Sequence, residues 1–137
     1  KVKNDFSSDC EIVLRSDTEL IDFIETKSFT ATETECEEAC KPAVDFFKSQ
    51  GCDTIILGCT HFLNLSDVIQ KVSGDKKVCG KEISVVDSRD GVARRALSVC
   101  QVEEKEYNPK TTLYVTGQKN SSEYEAVCKR YNLVYKN

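Results

Sequence analysis

The sequence of 137 residues contains no methionine, no tryptophan, one histidine and two prolines. It lacks any apolar run near the roughly 20 residues that a membrane-spanning helix needs, and it shows no export leader. Basic residues are in the minority, since 19 Lys and Arg face 23 Asp and Glu for a net charge of -4. We therefore predict a cytoplasmic protein that has neither nucleic acid nor a membrane as its main partner.

Cysteine, in contrast, is abundant, with eight in the chain. Such a number can indicate a disulfide framework, but disulfide-dense scaffolds are small, loop-rich and secreted. This chain instead alternates strand-like and helix-like segments and carries no export signal. We expect its thiols to be reduced.

Short apolar runs that suit strands alternate along the chain with longer amphipathic segments that suit helices. Strands are predicted near residues 10–14, 55–57, 83–87, 113–117 and 133–135. This alternation is typical of an α/β protein with a mainly parallel sheet. We predict one domain in three layers, α/β/α, with helices on both faces of the sheet.

Two stretches have the signature of a capping box, in which a hydroxyl residue is followed three positions later by glutamate. The first pairs Ser16 with Glu19, and the second pairs Thr32 with Glu35. Each precedes an apolar stripe of helical spacing. A later helix is predicted to carry Val92, Ala96 and Val99.

The most informative stretch is the apolar run at 55–57, which ends at Gly58 and is followed by Cys59, Thr60 and His61. A short unbroken apolar run predicts a strand that is buried on both faces. Gly58 would permit a tight turn, so the polar residues would leave the carboxyl end of the strand. Ligands bind at that edge in open α/β sheets.

Cys59 at this position would face the N-terminus of the next helix, where unpaired N–H groups favour a thiolate. The one histidine of the chain, His61, is two residues away and could exchange a proton with the thiol. The same N–H groups could hold a substrate carboxylate, and the Thr60 hydroxyl could orient it. The alternative is a buried strand-end cysteine beside a surface histidine, and the spacing alone does not decide between them.

Cys36 and Cys40 could bind a metal ion from one face of a helix. Both lie on the apolar stripe of that helix, however, and no further Cys/His cluster completes a zinc site. We expect them to pack in the core, since a free cysteine behaves as a small buried hydrophobe. No metal site is predicted.

The sequence Leu57-Gly58-Cys59-Thr60-His61-Phe62 resembles the second active-site motif of glutamate racemases, in the aspartate/glutamate racemase superfamily. The sequence around Val85-Val86-Asp87-Ser88 and that around Tyr114-Val115-Thr116-Gly117 resemble later strands of the same family. Aspartate racemases typically have glutamate after cysteine-threonine, so His61 favours the glutamate branch.

The resemblance implies a role for each matching residue. Cys59 would be one of two catalytic cysteines that remove or return the α-proton of glutamate, and His61 would assist it. Thr60 and Gly58 would contact the substrate, and Glu25 resembles the glutamate that orients the histidine. The family needs neither a pyridoxal cofactor nor a metal, and it supplies D-glutamate for peptidoglycan precursors, hence for cell-wall biogenesis and cell shape.

The chain also departs from the family pattern. Leu63 and Asn64 stand where the family has a proline, and Arg89 stands where it has a glycine. The cysteine-asparagine-threonine motif that holds the other base occurs nowhere in the sequence. The absence of an initiator methionine also suggests a piece of something longer.

We therefore expect residues 1–137 to be the second, C-terminal domain of a two-domain racemase fold with the C-terminal segment, without the N-terminal catalytic half. By itself this chain should be inactive. The resemblance, with an apolar face left where the first domain would dock, also leaves open a homodimer. Two alternatives remain: a racemase or isomerase of the same superfamily that acts on another acid, and a non-catalytic anion-binding α/β module.

Overall fold

A computed structural model describes residues 10–74, 77–78, 80–100, 111–116 and 121–136. The helices are α1 (Thr18–Thr26), α2 (Glu33–Ser49), α3 (Ser66–Gly74), α4 (Arg89–Val99) and α5 (Ser121–Tyr131), with a 3-10 helix at Thr60–Leu65. The strands are β1 (Thr54–Ile56), β2 (Lys77–Val78), β3 (Lys81–Glu82), β4 (Ser84–Val86), β5 (Thr112–Tyr114) and β6 (Val134–Lys136). This mixture of helices and strands confirms the predicted α/β class.

The starts of the first two helices are fixed by local side chains. The capping box at α2 is confirmed, because the Thr32 hydroxyl accepts from the Glu35 amide and the Glu35 carboxylate accepts from the Thr32 amide. At α1 the prediction was wrong by one residue. Asp17 caps that helix, accepting from the Leu20 amide at 3.1 Å, since its short carboxylate reaches the orphan N–H group.

The described strands form three two-stranded sheets. β1 pairs with β4 in parallel, with Ile55 opposite Val85, and β5 pairs with β6 in parallel. β2 and β3 form a short antiparallel pair. The predicted strand at 10–14 is wrong, because those residues have no strand structure. Parallel pairing therefore dominates, although the described residues do not join these strands into one sheet.

The core lies between the β1–β4 pair and the helices from α1 to α3. The predicted stripe of α2 is inside it, since Cys36 and Cys40 are buried. Phe47 of the same helix packs against the cluster. Its buried residues are Leu20, Ile24, Cys36, Cys40, Val44, Ile55, Leu57, Leu65, Ile69, Val72 and Ile83. Burial of this apolar surface is the main force that holds the fold together.

The opposite face of the β1–β4 pair is open. Ile56 is 74% exposed and its register partner Val86 is 47% exposed, while Ile55 between Thr54 and Ile56 is buried. The prediction of a strand buried on both faces is therefore wrong for the described chain. Among the residues that the structure describes, helices α1 to α3 lie on one face of this pair, which gives two of the three predicted layers there.

Among the described residues, no helix combines the length and apolar character that crossing a bilayer requires.

Candidate active site

The candidate site lies where β1 ends and the 3-10 helix begins. After Ile56, the Leu57 amide still donates to the Val86 carbonyl at 2.9 Å, which keeps the chain beside β4 as it leaves the strand. Leu57 is buried, which fixes the position of the chain where it leaves β1. Cys59 is the N-cap residue of the 3-10 helix with an extended backbone, and Thr60 and His61 are the first two residues of the helix.

Three of the residues predicted from the sequence meet here. The Cys59 Sγ atom lies 3.2 Å from His61 Nδ1, and His61 Nε2 lies 2.8 Å from Glu25 Oε1. Glu25 comes from α1, so the tertiary fold brings it to the imidazole from a distant part of the sequence. An ionised carboxylate only accepts hydrogen bonds, so Nε2 carries a proton. Nδ1 is thereby left to share a proton with the thiol.

The electrostatics of the pair favour transfer of that proton from sulfur to nitrogen. The hydrogen bond with His61 lowers the pKa of the Cys59 thiol below its ordinary value, and the Thr60 hydroxyl adds a smaller effect. The hydrogen bond with Cys59 is the largest cause that raises the pKa of His61, and Glu25 contributes further. The two pKa values move towards each other, which lowers the cost of transferring the proton from sulfur to nitrogen.

The other two predicted site residues, Thr60 and Gly58, are both exposed at this edge. The turn predicted at Gly58 does not require glycine, because its φ is outside the left-handed region and an added Cβ would meet nothing within 4 Å. The space above Gly58 is therefore open, and a ligand could approach the backbone there.

A groove of about 410 Å³ runs along β1 and reaches Gly58 and Cys59. Its walls are mostly apolar side chains from the segment at 13–15, from α1 and α2, and from β1. Thr60 and His61 do not line it. Such a groove could hold the aliphatic part of a ligand, but it offers few groups that could pair with carboxylates.

A polar cluster links the end of β4 to the first residue of α3, the helix that follows the site in the sequence. Asp87 accepts from the Ser66 hydroxyl at 2.9 Å and from Arg89 Nε at 2.9 Å, and Arg89 Nη2 donates to Ser66 Oγ at 3.1 Å. The hydrogen bond from Arg89 is the largest cause that lowers the pKa of Asp87, to about 2. This cluster was not predicted from the sequence, although Arg89, which stands where the family has a glycine, was the signal for it.

Three other described cysteines have surroundings that do not activate the thiol. Burial raises the pKa of Cys36 and raises that of Cys40 to about 12, and it also raises that of Cys52. Six described cysteines, Cys36, Cys40, Cys52, Cys59, Cys100 and Cys128, form no disulfide. No group of three or more potential metal-binding side chains occurs in the described part of the chain.

The fold and the site define an α/β protein with a thiol–imidazole–carboxylate constellation at the carboxyl end of a parallel strand. Several curated glutamate racemases are similar to this chain. The relative from Treponema pallidum (strain Nichols) is 31% identical over 123 residues, which are 90% of this chain and 41% of the relative. That from Borreliella burgdorferi is 26% identical over 98% of this chain and 51% of the relative.

A third relative, from Vibrio vulnificus (strain YJ016), is 35% identical over 69% of this chain and 33% of its own length. The resemblance to glutamate racemases is thus confirmed. The chain spans about two fifths of the length of the Treponema relative that it matches. No family model matches the sequence, and no solved structure matches it.

Proposed function

We propose that this chain is the C-terminal part of a cofactor-independent glutamate racemase and supplies one of its two bases. The observation that carries the proposal is the contact of Cys59 Sγ with His61 Nδ1 at 3.2 Å, with Glu25 behind the imidazole. The similarity to curated glutamate racemases over most of the chain supports glutamate as the substrate.

In this proposal the Cys59 thiolate removes the α-proton from one face of glutamate, or the thiol returns a proton to that face. His61 holds the proton that the thiol has given up, and Glu25 keeps the imidazole oriented with Nδ1 towards sulfur. The α-carbon of an amino acid is a very weak acid, so a base of matched pKa and stabilisation of the developing charge must lower the barrier. Thr60 and the open backbone at Gly58 would contact the substrate.

Racemisation by two bases needs a second proton carrier on the opposite face of the α-carbon. The chain has a single histidine, so it contains no second cysteine–histidine pair of this kind. We infer that the other base comes from an N-terminal half of the same kind of enzyme. The uncovered face with Ile56 and Val86 supports the docking of another polypeptide, or a homodimer, beside the site.

The first test measures the thiol itself in the purified 137-residue chain. Alkylation by iodoacetamide is followed at each cysteine by peptide mass spectrometry across a range of pH. Cys59 should react at a lower pH than the ordinary thiol midpoint of about 8.5, and His61→Gln should remove this advantage. A Cys59 that titrates like an ordinary thiol would argue for a non-catalytic module.

The second test measures racemisation by chiral chromatography. The chain alone should not interconvert L- and D-glutamate, whereas the chain joined to the remaining part of the Treponema relative should do so and should exchange the α-hydrogen in D2O. Aspartate is the matched alternative substrate. Racemisation by the isolated chain that Cys59→Ala abolishes would contradict the proposed division of the two bases.

The proposed physiological role is the supply of D-glutamate for peptidoglycan precursors in the cytoplasm, and through it cell-wall biogenesis and cell shape. This role rests on the resemblance to glutamate racemases and on the activity proposed above.

A further inference from the structure

Asn64 lies near the end of the 3-10 helix, one turn after His61, and both ends of its side-chain amide are engaged. Its side-chain Nδ2 donates to the His61 carbonyl at 3.2 Å. Its side-chain oxygen accepts from the Tyr131 hydroxyl at 3.0 Å, and its main-chain carbonyl accepts from Arg130 Nη2 at 3.0 Å. Asn64 therefore joins the backbone of His61 to the last turn of α5.

The contacts around Asn64 connect two parts of the chain that are far apart in sequence. Arg130 and Tyr131 are 66 and 67 positions from Asn64. The Arg130 guanidinium also stacks over the Phe29 ring, 5.7 Å from its centroid, which ties it to the turn after α1. Glu25, the partner of the His61 ring, lies in the last turn of that same helix.

His61 is thus held at two points, one on its ring and one on its main chain. Glu25 holds Nε2 of the ring, and Asn64 holds the carbonyl of the His61 main chain. A carbonyl that is fixed in space restricts rotation of the peptide unit and with it the direction in which the side chain leaves the backbone. The contact of Nδ1 with the Cys59 thiol at 3.2 Å depends on that direction.

We propose that Asn64 is a positioning residue of the thiol–imidazole pair, and that Tyr131 and Arg130 of α5 hold it in place. This inference rests on the proposed function, since it matters only where Cys59 works with His61. The bonds of the Asn64 side chain go to the His61 carbonyl and to Tyr131, so it acts through His61. The titratable groups that act on the imidazole directly are Cys59 and Glu25.

The test uses the pH profile of Cys59 alkylation in the 137-residue chain, with thermal unfolding measured in parallel. Asn64→Ala should reduce the alkylation rate at pH 7 about fivefold, as expected if loss of one hydrogen bond weakens the pair. Tyr131→Phe should change the rate in the same direction by a smaller factor.

Gln70→Ala is the matched control, because Gln70 is also an amide that bonds the main chain, at Ile83 and Val85, but not at His61. It should lower the thermal midpoint and leave the Cys59 profile unchanged. If Asn64→Ala leaves the profile unchanged while His61→Gln shifts it, the positioning role is refuted and the proposed function stands. If the unaltered chain already shows an ordinary Cys59 thiol, the proposed function itself fails.

Should Asn64→Ala fail to fold, Tyr131→Phe decides the question, since it removes a single hydroxyl from an exposed side chain. A Tyr131→Phe profile that matches the unaltered chain would then refute the role of α5. A slower Cys59 reaction in that variant would support it.

Discussion

The segment from α1 to β4 and the segment from α4 to β6 have similar alternating patterns, yet they are buried very differently. The first contains the entire core cluster, with Val44 and Ile83 fully buried. In the second, α4 has no buried residue, and Leu97 is 68% exposed. Among the described residues of the second segment, Cys128 on α5 is buried.

This difference shows that an amphipathic pattern specifies a helix without specifying what covers it. The predicted stripe of Val92, Ala96 and Val99 does lie on a helix, as expected, but all three residues are exposed. The stripe of α2 has the same character and is packed, because α1 and α3 lie against it and its buried residues share one cluster with Ile55 of β1. The candidate site belongs to the packed segment, and α5 contacts it through Asn64.

The largest difference in stability between the two segments is expected when a large apolar side chain is truncated in each. Ile83→Ala should lower the free energy of unfolding by about 2–5 kcal/mol, because it removes buried methyl groups and leaves a cavity. Leu97→Ala, the matched change on α4, should stay within about 0.5 kcal/mol. Chemical denaturation measures both. Equal losses would show that α4 is packed in solution and would remove the contrast.

A smaller effect is expected at the start of α2, whose capping box belongs to the packed segment. Thr32→Ala should lower the free energy of unfolding by about 1 kcal/mol, because the cap loses the hydroxyl that accepts from the Glu35 amide and bonds its carboxylate. Thr34→Ala, two positions further on and also exposed, is the control and should not lower it. An unchanged stability in Thr32→Ala would mean that the cap contributes nothing to this segment.

The smallest change in stability is expected at Asp87, which lies between the two segments and forms hydrogen bonds with both Ser66 and Arg89. Its pKa is lowered to about 2 in the fold, so its contribution to stability is complete above the ordinary carboxyl range and is lost as the pH falls from about 4 to 2. Asp87→Asn should reduce stability at neutral pH and flatten the acid dependence within this window.

Acid unfolding followed by circular dichroism measures this dependence. Asp22→Asn, an exposed carboxylate on α1, is the control for the loss of a charge. An acid profile of Asp87→Asn that is as steep as that of the unaltered chain would show that the cluster does not link the two segments.

Much of the candidate site could be predicted from sequence because its parts are close along the chain. An apolar run that stops at Gly58 determines where β1 ends, and Cys59 and His61 are separated by one residue. The α/β class followed from the alternation of strand and helix patterns in the same way. Glu25 was identified only through the resemblance to glutamate racemases, since nothing in its local sequence indicates the distance to His61.

What the sequence determined by itself is therefore local: helix starts such as Thr32, the alternation of helices with strands such as β1 and β4, and the pairing of a thiol with an imidazole two residues away. Tertiary structure decided which faces are covered, as at Ile56, and which distant groups meet, as in Glu25 with His61 and Asn64 with Tyr131. The physical reason is that hydrogen bonds and apolar contacts act over a few ångströms in space. Only the folded chain brings residues that are far apart in sequence within that distance.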